Sequence, residues 1–247
     1  MKVPRSHPRY KSLKTREALS RLSDGGVVAR TGLIAHGRGE AFDYMLGERT
    51  HPFALEAAKA AAAHLLLAKT PVLSVNGNVA ALAGREMIAL SKAVPAKLEV
   101  NLFHRSPARI ARVVAHMEGL GAKGVLGKGA TELIPGLAQP RARCTTEGIF
   151  SADVVFVPLE DGDRAEALVR MGKTVIAVDL NPLSRTAKAA TVTIVDELTR
   201  AVPNVTRAVL GMKAWPEARI RRLAEGFDNE RNLKDAGKAM ARHVLGG

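Results

Sequence analysis

The most constraining feature of this sequence is a regular alternation that begins near residue 70. Short runs rich in β-branched residues alternate there with stretches of amphipathic helical character. Several of the runs are apolar throughout, which indicates strands covered on both faces of a parallel sheet. The pattern therefore predicts an α/β fold with a doubly wound, mostly parallel sheet. The predicted strands are 72–76, 97–103, 123–126, 153–158, 174–179 and 191–195, and the predicted helices are 79–93, 107–120, 162–171, 184–189 and 197–212.

Two segments flank the predicted sheet domain, which spans residues 70–212. Residues 1–69 are expected to form an N-terminal helical segment, and residues 213–247 a charged helical segment packed on the domain. The run 25–40 is too rich in Gly for a helix interior, so an interruption is expected there. The Ala-rich stretch 51–68 predicts a strong helix, because Ala has the highest helix propensity. Such a helix suits internal packing or a subunit interface.

The charge of the chain points to anionic partners. Lys and Arg number 37 against 24 Asp and Glu, a formal net charge of +13. Either nucleic acid or small phosphorylated and carboxylated ligands would fit this excess. Aromatic residues make up only 4% of the chain, so stacking platforms for bases are scarce, and the positive charge is dispersed. A small anionic ligand is favoured, and a basic nucleic-acid-binding α/β protein is the alternative.

Cysteine content and hydropathy bound the compartment and the kinds of site. Cys144 is the only cysteine, which excludes a disulfide framework and any multi-cysteine metal site. The seven histidines show no metal-ligand spacing, and only His36 and His104 lie beside other candidate residues. No apolar run is long enough for a membrane span. We therefore expect a cytoplasmic protein without a membrane partner and without a metal site of its own.

Polar residues follow the first predicted strand, where ligands bind in an open parallel sheet. Asn76, Gly77 and Asn78 can present two amides and backbone N–H groups at a helix N-terminus. Such a turn suits a phosphate or a carboxylate. A plain Asn-Gly turn with a helix cap explains the same residues equally well.

Acidic residues follow the fourth predicted strand. Glu160, Asp161 and Asp163 stand at the start of a predicted helix, where carboxylates stabilise the helix N-terminus. Capping is the default interpretation of this cluster. The alternative is that the carboxylates receive an ammonium group or a metal-bound water.

The turn after the fifth predicted strand has the composition of a nucleoside site. Asp179, Leu180 and Asn181 close the strand, and an acid in this place commonly binds a ribose hydroxyl. Arg185 and Thr186 follow and could bind phosphate. A capping turn is the competing interpretation.

Two familiar nucleotide motifs are missing. The run 121–129 superficially resembles a phosphate-binding loop, but no Ser or Thr follows Lys128 and the Gly spacing is wrong. No G-x-G-x-x-G follows a predicted strand. An atypical dinucleotide-dependent enzyme therefore remains only as a second alternative.

Five segments together resemble one known family, the archaeal phosphopantothenate synthetases, which are 4-phosphopantoate–β-alanine ligases. The likeness extends from about residue 5 to 212 and is carried by the motifs SHPRY (6–10), GLIAHGRGEAFDY (32–44), SVNGNVAAL (74–82), VPLEDGDR (157–164) and DLNPLSRT (179–186). The resemblance implies a homodimer with a Rossmann-like domain. It also implies condensation of 4-phosphopantoate with β-alanine to 4'-phosphopantothenate in coenzyme A biosynthesis, with ATP converted to AMP and diphosphate.

The resemblance also implies the ATP contacts. At Glu197 the family has Asn, so a backbone contact is expected there. Mg²⁺ would arrive with ATP, because a triphosphate carries the ion without a dedicated protein cage. The implied ATP-binding residues are Arg16, Arg38, Asp179, Leu180, Asn181, Arg185, Thr186, Glu197 and Leu198.

Placement of the other two substrates is a hypothesis. We expect 4-phosphopantoate on the turn Asn76–Gly77–Asn78, with His36 and Arg38 nearby. We expect Asp161 or Asp163 to receive the β-alanine ammonium. The pattern identifies no catalytic base.

Overall fold

The structure, a computed structural model, describes residues 4–246 and is organised around a five-stranded parallel sheet. The strands of this part of the chain are β1 (Val72–Val75), β2 (Lys97–Val100), β3 (Glu132–Leu133), β4 (Arg143–Cys144), β5 (Val154–Pro158), β6 (Thr174–Val178) and β7 (Val192–Ile194). The strand order is β2-β1-β5-β6-β7, and β3 and β4 form a separate antiparallel pair.

Helices cover both faces of the sheet. The helices are α1 (Tyr10–Asp24), α2 (Arg30–Met45), α3 (Pro52–Leu67), α4 (Gly77–Ala93), α5 (Pro107–Gly119), α6 (Gly162–Arg170), α7 (Arg185–Ala189), α8 (Leu198–Met212), α9 (Glu217–Glu225) and α10 (Asn229–Val244). Along β5, Phe156 belongs to the core shared with α3, α4, α5 and α8, whereas Val155 and Val157 pack towards α6 on the other face. No helix within residues 4–246 combines the length and apolar character that a membrane span needs.

The predicted doubly wound sheet is confirmed. Five of the six predicted strands are present in parallel pairing, and the helix predicted at 51–68 is α3. The strand order reverses between β1 and β5, because the chain moves to one side for β2 and to the other for β5, β6 and β7. That reversal opens a crevice at the carboxyl ends of β1 and β5, where such sheets bind ligands.

The interruption predicted at 25–40 is present only at residues 25–29, between α1 and α2, and its extension to residue 40 is wrong. α2 begins at Arg30 and continues through Gly32, Gly37 and Gly39. Gly32 contacts the Asn78 side chain so closely that a Cβ would lie 2.3 Å from its Oδ1, and Gly39 lies against Leu180. Tertiary packing outweighs the low helix propensity of these glycines.

Three smaller differences concern the rest of the chain. The run 123–126 is not a strand, because only Leu126 forms a single bridge, to Glu99 of β2, between glycines with positive φ. The sequence contains no pattern that predicts the β3–β4 pair or the π-helical turn Thr146–Phe150. The C-terminal segment is divided into α9 and α10 at Gly226.

Gly77 packs closely against a neighbouring segment at the carboxyl edge of the sheet. A Cβ there would lie 2.4 Å from the Val27 carbonyl oxygen, so Gly77→Ala must displace backbone. We expect Gly77→Ala to lower the free energy of unfolding by about 1–3 kcal/mol in urea denaturation.

Gly211 in the last turn of α8 is the matched control, because its Cβ would meet nothing within 4 Å. Gly211→Ala should raise the free energy of unfolding by about 0.5–1 kcal/mol, the ordinary gain for Ala in a helix. Equal stability of the two variants would contradict the close approach at Gly77.

Candidate active site

One large cavity, with a volume of 1240 Å³, opens at the carboxyl edge of the sheet. α1 and α2 form one wall, and the loops after β1, β5, β6 and β7 form the other. Sites for one small ligand usually span about 300–1,000 Å³, so this cavity has room for more than one. Of the predicted site residues, only Arg16 does not line this cavity. Those that do are His36, Arg38, Asn76, Gly77, Asn78, Asp161, Asp163, Asp179, Leu180, Asn181, Arg185, Thr186, Glu197 and Leu198.

The turn after β1 is built by two asparagines whose amides are both engaged. Asn76 caps α4 by accepting from the Val79 N–H at 3.0 Å, and its Nδ2 donates to the carbonyls of Pro158 and Leu159. Asn78 donates to the Gly32 carbonyl on α2 at 2.8 Å. The two amides thus hold the cavity walls together. What the turn offers a ligand is the first N–H groups of α4, which have no intrahelical partner.

The turn after β5 has a buried ion cluster behind it. Glu160 is 2% exposed and pairs with Arg141 and with the fully buried Arg164, so it is structural. Asp161 lies further out, with 39% of its side chain exposed and its Oδ2 2.7 Å from Arg141 Nη1. Burial raises the pKa of Asp161, and the charge of Arg141 opposes that rise. Asp163 accepts from the Gln139 amide.

The turn after β6 is held by its own side chains. Asp179 accepts from the Asn181 N–H at 2.9 Å and from the Ser184 hydroxyl at 2.5 Å. Burial raises the pKa of Asp179, against those two hydrogen bonds and the positive charge of Arg38. Thr186 donates to the Glu160 carbonyl, which fixes this turn to the one after β5.

Arg185 and the start of α8 complete the sheet side of the cavity. Arg185 is exposed and bonds Glu166 through two nitrogens, so its guanidinium stands at the rim. Glu197 caps α8 by accepting from the Thr199 N–H at 2.7 Å. Burial raises the pKa of Glu197, although the Thr199 hydrogen bonds oppose the rise.

The helical wall brings its own charged groups. Arg16 on α1 forms a two-pronged ion pair with Glu40 on α2, at 2.6 Å for its shortest contact. Arg16 therefore reaches the cavity edge through Glu40 rather than lining it. His36 is half-buried, burial lowers its pKa, and its Nε2 has no hydrogen-bond partner among the described residues. Arg38 has no carboxylate within salt-bridge distance in residues 4–246.

Sequence reasoning missed Arg109. This arginine follows β2, at the start of α5, and lines the cavity. It donates to the backbone carbonyls of His104 at 2.8 Å and Val27 at 3.0 Å, and no carboxylate of residues 4–246 pairs with it. Its Nη2 lies 3.3 Å from where a Gly77 Cβ would stand, beside the α4 N-terminus. A search for polar residues after β2, like the one made after the other strands, would have found Arg109.

The fold and the cavity define the class of protein: a Rossmann-like α/β protein with a ligand cavity at the topological switch point of its sheet. Residues 53–243 match the family model described as phosphopantothenate/pantothenate synthetase. The chain belongs to this family.

Relatives from three archaea are similar over most of their length. The 4-phosphopantoate–β-alanine ligase of Thermococcus onnurineus is 51% identical over 95% of this chain and 90% of that protein. The enzyme of the same name from Methanosarcina mazei is 48% identical over 98% and 95%, respectively. The 4-phosphopantoate–β-alanine ligase of Methanospirillum hungatei is 55% identical over 83% of this chain and 84% of that protein.

The half-buried cap Glu197 yields a pH-dependent prediction. Its pKa in the folded protein is raised, so its contribution to stability is present at low pH and is lost as pH rises through that pKa. Glu197→Gln keeps the oxygen that caps α8 and removes the charge. When it is measured between about pH 4 and about pH 8, the free energy of unfolding of this variant, relative to wild type, should therefore increase as pH rises above the ordinary Glu pKa of about 4.3.

Glu118, exposed on α5, is the matched control. Chemical denaturation of Glu118→Gln across the same pH range should follow wild type. A constant difference between Glu197→Gln and wild type would contradict a raised pKa at Glu197.

Proposed function

We infer that this chain is an ATP-dependent ligase that condenses 4-phosphopantoate with β-alanine to 4'-phosphopantothenate, on the route to coenzyme A. The observation that carries the inference is the large cavity in which backbone N–H groups, unneutralised arginines and acidic side chains meet at one edge of the sheet. Membership of the synthetase family and about 50% identity to enzymes named as this ligase support it.

ATP is proposed to lie along the turns after β6 and β7. The Asp179 carboxylate is suited to a ribose hydroxyl, and residues at the start of α7 and α8 line the same cavity. Arg185 would exchange Glu166 for a phosphate, which is possible because its ion pair is exposed and weak. Arg38 adds an unneutralised cation on the opposite wall. Mg²⁺ would enter with ATP as part of the substrate.

The phosphate of 4-phosphopantoate is proposed to lie between the α4 N-terminus and Arg109. The positive end of a helix and an arginine without a carboxylate partner repel one another, so an anion between them relieves both. The side chains of Asn76 and Asn78 support this place by holding the turn rather than by contacting the phosphate. His36 lines the cavity between the two proposed anion sites.

The β-alanine ammonium is proposed to bind Asp161. One oxygen of this carboxylate meets Arg141, and the side chain is partly exposed towards the cavity. Asp163 is engaged with Gln139, which favours Asp161 of the two residues.

The chemistry follows from the poor electrophilicity of a carboxylate. A carboxylate oxygen of 4-phosphopantoate would attack the α-phosphorus of ATP, forming an acyl-adenylate and releasing diphosphate. The β-alanine ammonium would then lose one proton to water, and the amine would attack the acyl carbon, release AMP and lose a second proton to water as the amide forms. The protein's part is to hold two anions close together and to offset their charge.

Self-association as a homodimer is a further proposal that rests on the family resemblance, and a cytoplasmic location is one that rests on the cysteine content and hydropathy of the sequence. Ile34 and Leu183 are large apolar side chains, 75% and 71% exposed, that association would cover. Light scattering coupled to size-exclusion chromatography would report a mass of twice the chain for a dimer and contradict the proposal if it reported one chain.

Product analysis tests the proposed function. The purified protein would be incubated with ATP, Mg²⁺, β-alanine and either 4-phosphopantoate or pantoate, and the products separated by chromatography. AMP and 4'-phosphopantothenate should form only with the phosphorylated acid. ADP in place of AMP would overturn the acyl-adenylate, and no product from folded protein would overturn the ligase.

Arg109 gives the sharpest substitution in the proposed phosphate site. Arg109→Gln should raise the KM for 4-phosphopantoate by about 10- to 100-fold, the worth of a charge-assisted hydrogen bond, while the KM for ATP changes little. Arg112→Gln, an exposed arginine one turn further along α5, is the control and should behave as wild type. A larger effect of Arg109→Gln on ATP than on 4-phosphopantoate would contradict the placement.

A further inference from the structure

We propose that Arg141 is a positioning residue for the amine substrate: it orients the Asp161 carboxylate that receives the β-alanine ammonium. This inference rests on the proposed function and deepens it. Arg141 lies outside every motif by which the chain resembles its family, in the loop between β3 and β4.

The backbone of Arg141 is fixed from beneath. Asn101, fully buried just after β2, donates its Nδ2 to the carbonyls of Arg141 at 3.3 Å and Arg143 at 2.9 Å. From the same loop, Gln139 bonds Asp163 on α6. The loop is therefore attached at both sides to the carboxyl edge of the sheet, which gives Arg141 a defined position at the cavity.

The guanidinium of Arg141 bonds two carboxylates, the buried one of Glu160 and the partly exposed one of Asp161. Its side chain is only 6% exposed, and Nη1 bonds both Glu160 and Asp161. Glu160 has a second partner in the buried Arg164, so its charge is matched without Arg141. Asp161 has no other cation at bonding distance within residues 4–246. The ion pair with Arg141 therefore matters more to Asp161 than to Glu160.

The geometry leaves Asp161 ready for a cation. Its Oδ2 meets Arg141 at 2.7 Å, and its Oδ1 forms no hydrogen bond within the described part of the chain. The carboxylate is thus anchored by one oxygen and open at the other. A group held in this way needs no reorganisation when the ammonium arrives.

The charges around Asp161 make the anchor necessary. Burial raises the pKa of Asp161, and the carboxylates of Glu160 and Asp163 raise it further. The positive charge of Arg141 lowers the pKa of Asp161. The other two arginines nearby are already paired with other carboxylates, Arg164 with Glu160 and Arg185 with Glu166. Without Arg141 the Asp161 carboxyl would stay protonated to a higher pH and would lose its attraction for an ammonium group.

The test is a double-mutant cycle with steady-state kinetics on the intact chain. Arg141→Gln should raise the KM for β-alanine by about tenfold or more near pH 6, with a smaller increase near pH 8.5, because the lost charge-assisted contact and the protonation of Asp161 act together. Asp161→Asn should raise the same KM at every pH. Adding Arg141→Gln to Asp161→Asn should have little further effect, since the two residues act through one contact.

Two further variants separate positioning from general support. Arg141→Lys keeps a cation beside Asp161 and should retain the wild-type pH dependence of the β-alanine KM even if its stability is reduced. Arg143→Gln, on the neighbouring exposed position of β4, is the matched control and should leave all three KM values unchanged. In every variant the KM values for ATP and 4-phosphopantoate should stay within about twofold of wild type.

Some outcomes would overturn the inference. Additive effects in the cycle, equal increases in all three KM values, or a pH-independent effect of Arg141→Gln would each reduce Arg141 to structural support. An unchanged β-alanine KM in Asp161→Asn would remove the ammonium site while leaving the ligase intact. Absence of 4'-phosphopantothenate with wild-type protein would instead reject the proposed function itself.

Discussion

One asparagine joins the two strand ends on which the cavity depends. Asn76 caps α4 through its oxygen and, through its nitrogen, donates to the carbonyls that end β5. Parallel strands bring their carboxyl ends to the same edge, but the reversal of strand order between β1 and β5 separates the helices that follow them. The ends of β1 and β5 must therefore be held together at the base of the crevice, and the Asn76 side chain holds them. Asn78, which bonds α2, fixes the facing wall.

Most charged groups around the cavity form ion pairs that support the structure, and a few arginines have no carboxylate partner within the described residues. Glu160 and Asp196 are buried acids matched by arginines, so they add little net field. Arg38 and Arg109 face the cavity without a carboxylate at bonding distance in residues 4–246. Two anionic substrates could approach each other only if such charges offset their repulsion. The dispersed excess of 13 positive charges is thus less informative than the positions of these two arginines.

The strand-end residues of the cavity could be predicted from sequence because they are local to the strands. An apolar run followed by Asn76 or Asp179 predicts both the strand and the polar group at its end. Arg141 could not be found in this way, because it reaches the cavity through the β3–β4 loop, which has no strong local signal. α2 was missed for the converse reason: its glycines have low helix propensity, and the contacts that compensate come from distant segments.

Hydrogen–deuterium exchange would test most directly whether this single cavity binds both anions. The protein would be compared alone, with ATP and Mg²⁺, with 4-phosphopantoate, and with all of them together. ATP should protect the amides of the turns at 179–186 and 196–199, and 4-phosphopantoate those at 76–80 and 107–110. Both sets should be protected together in the ternary sample. Protection of only one set by both ligands, or protection away from this edge of the sheet, would contradict the account.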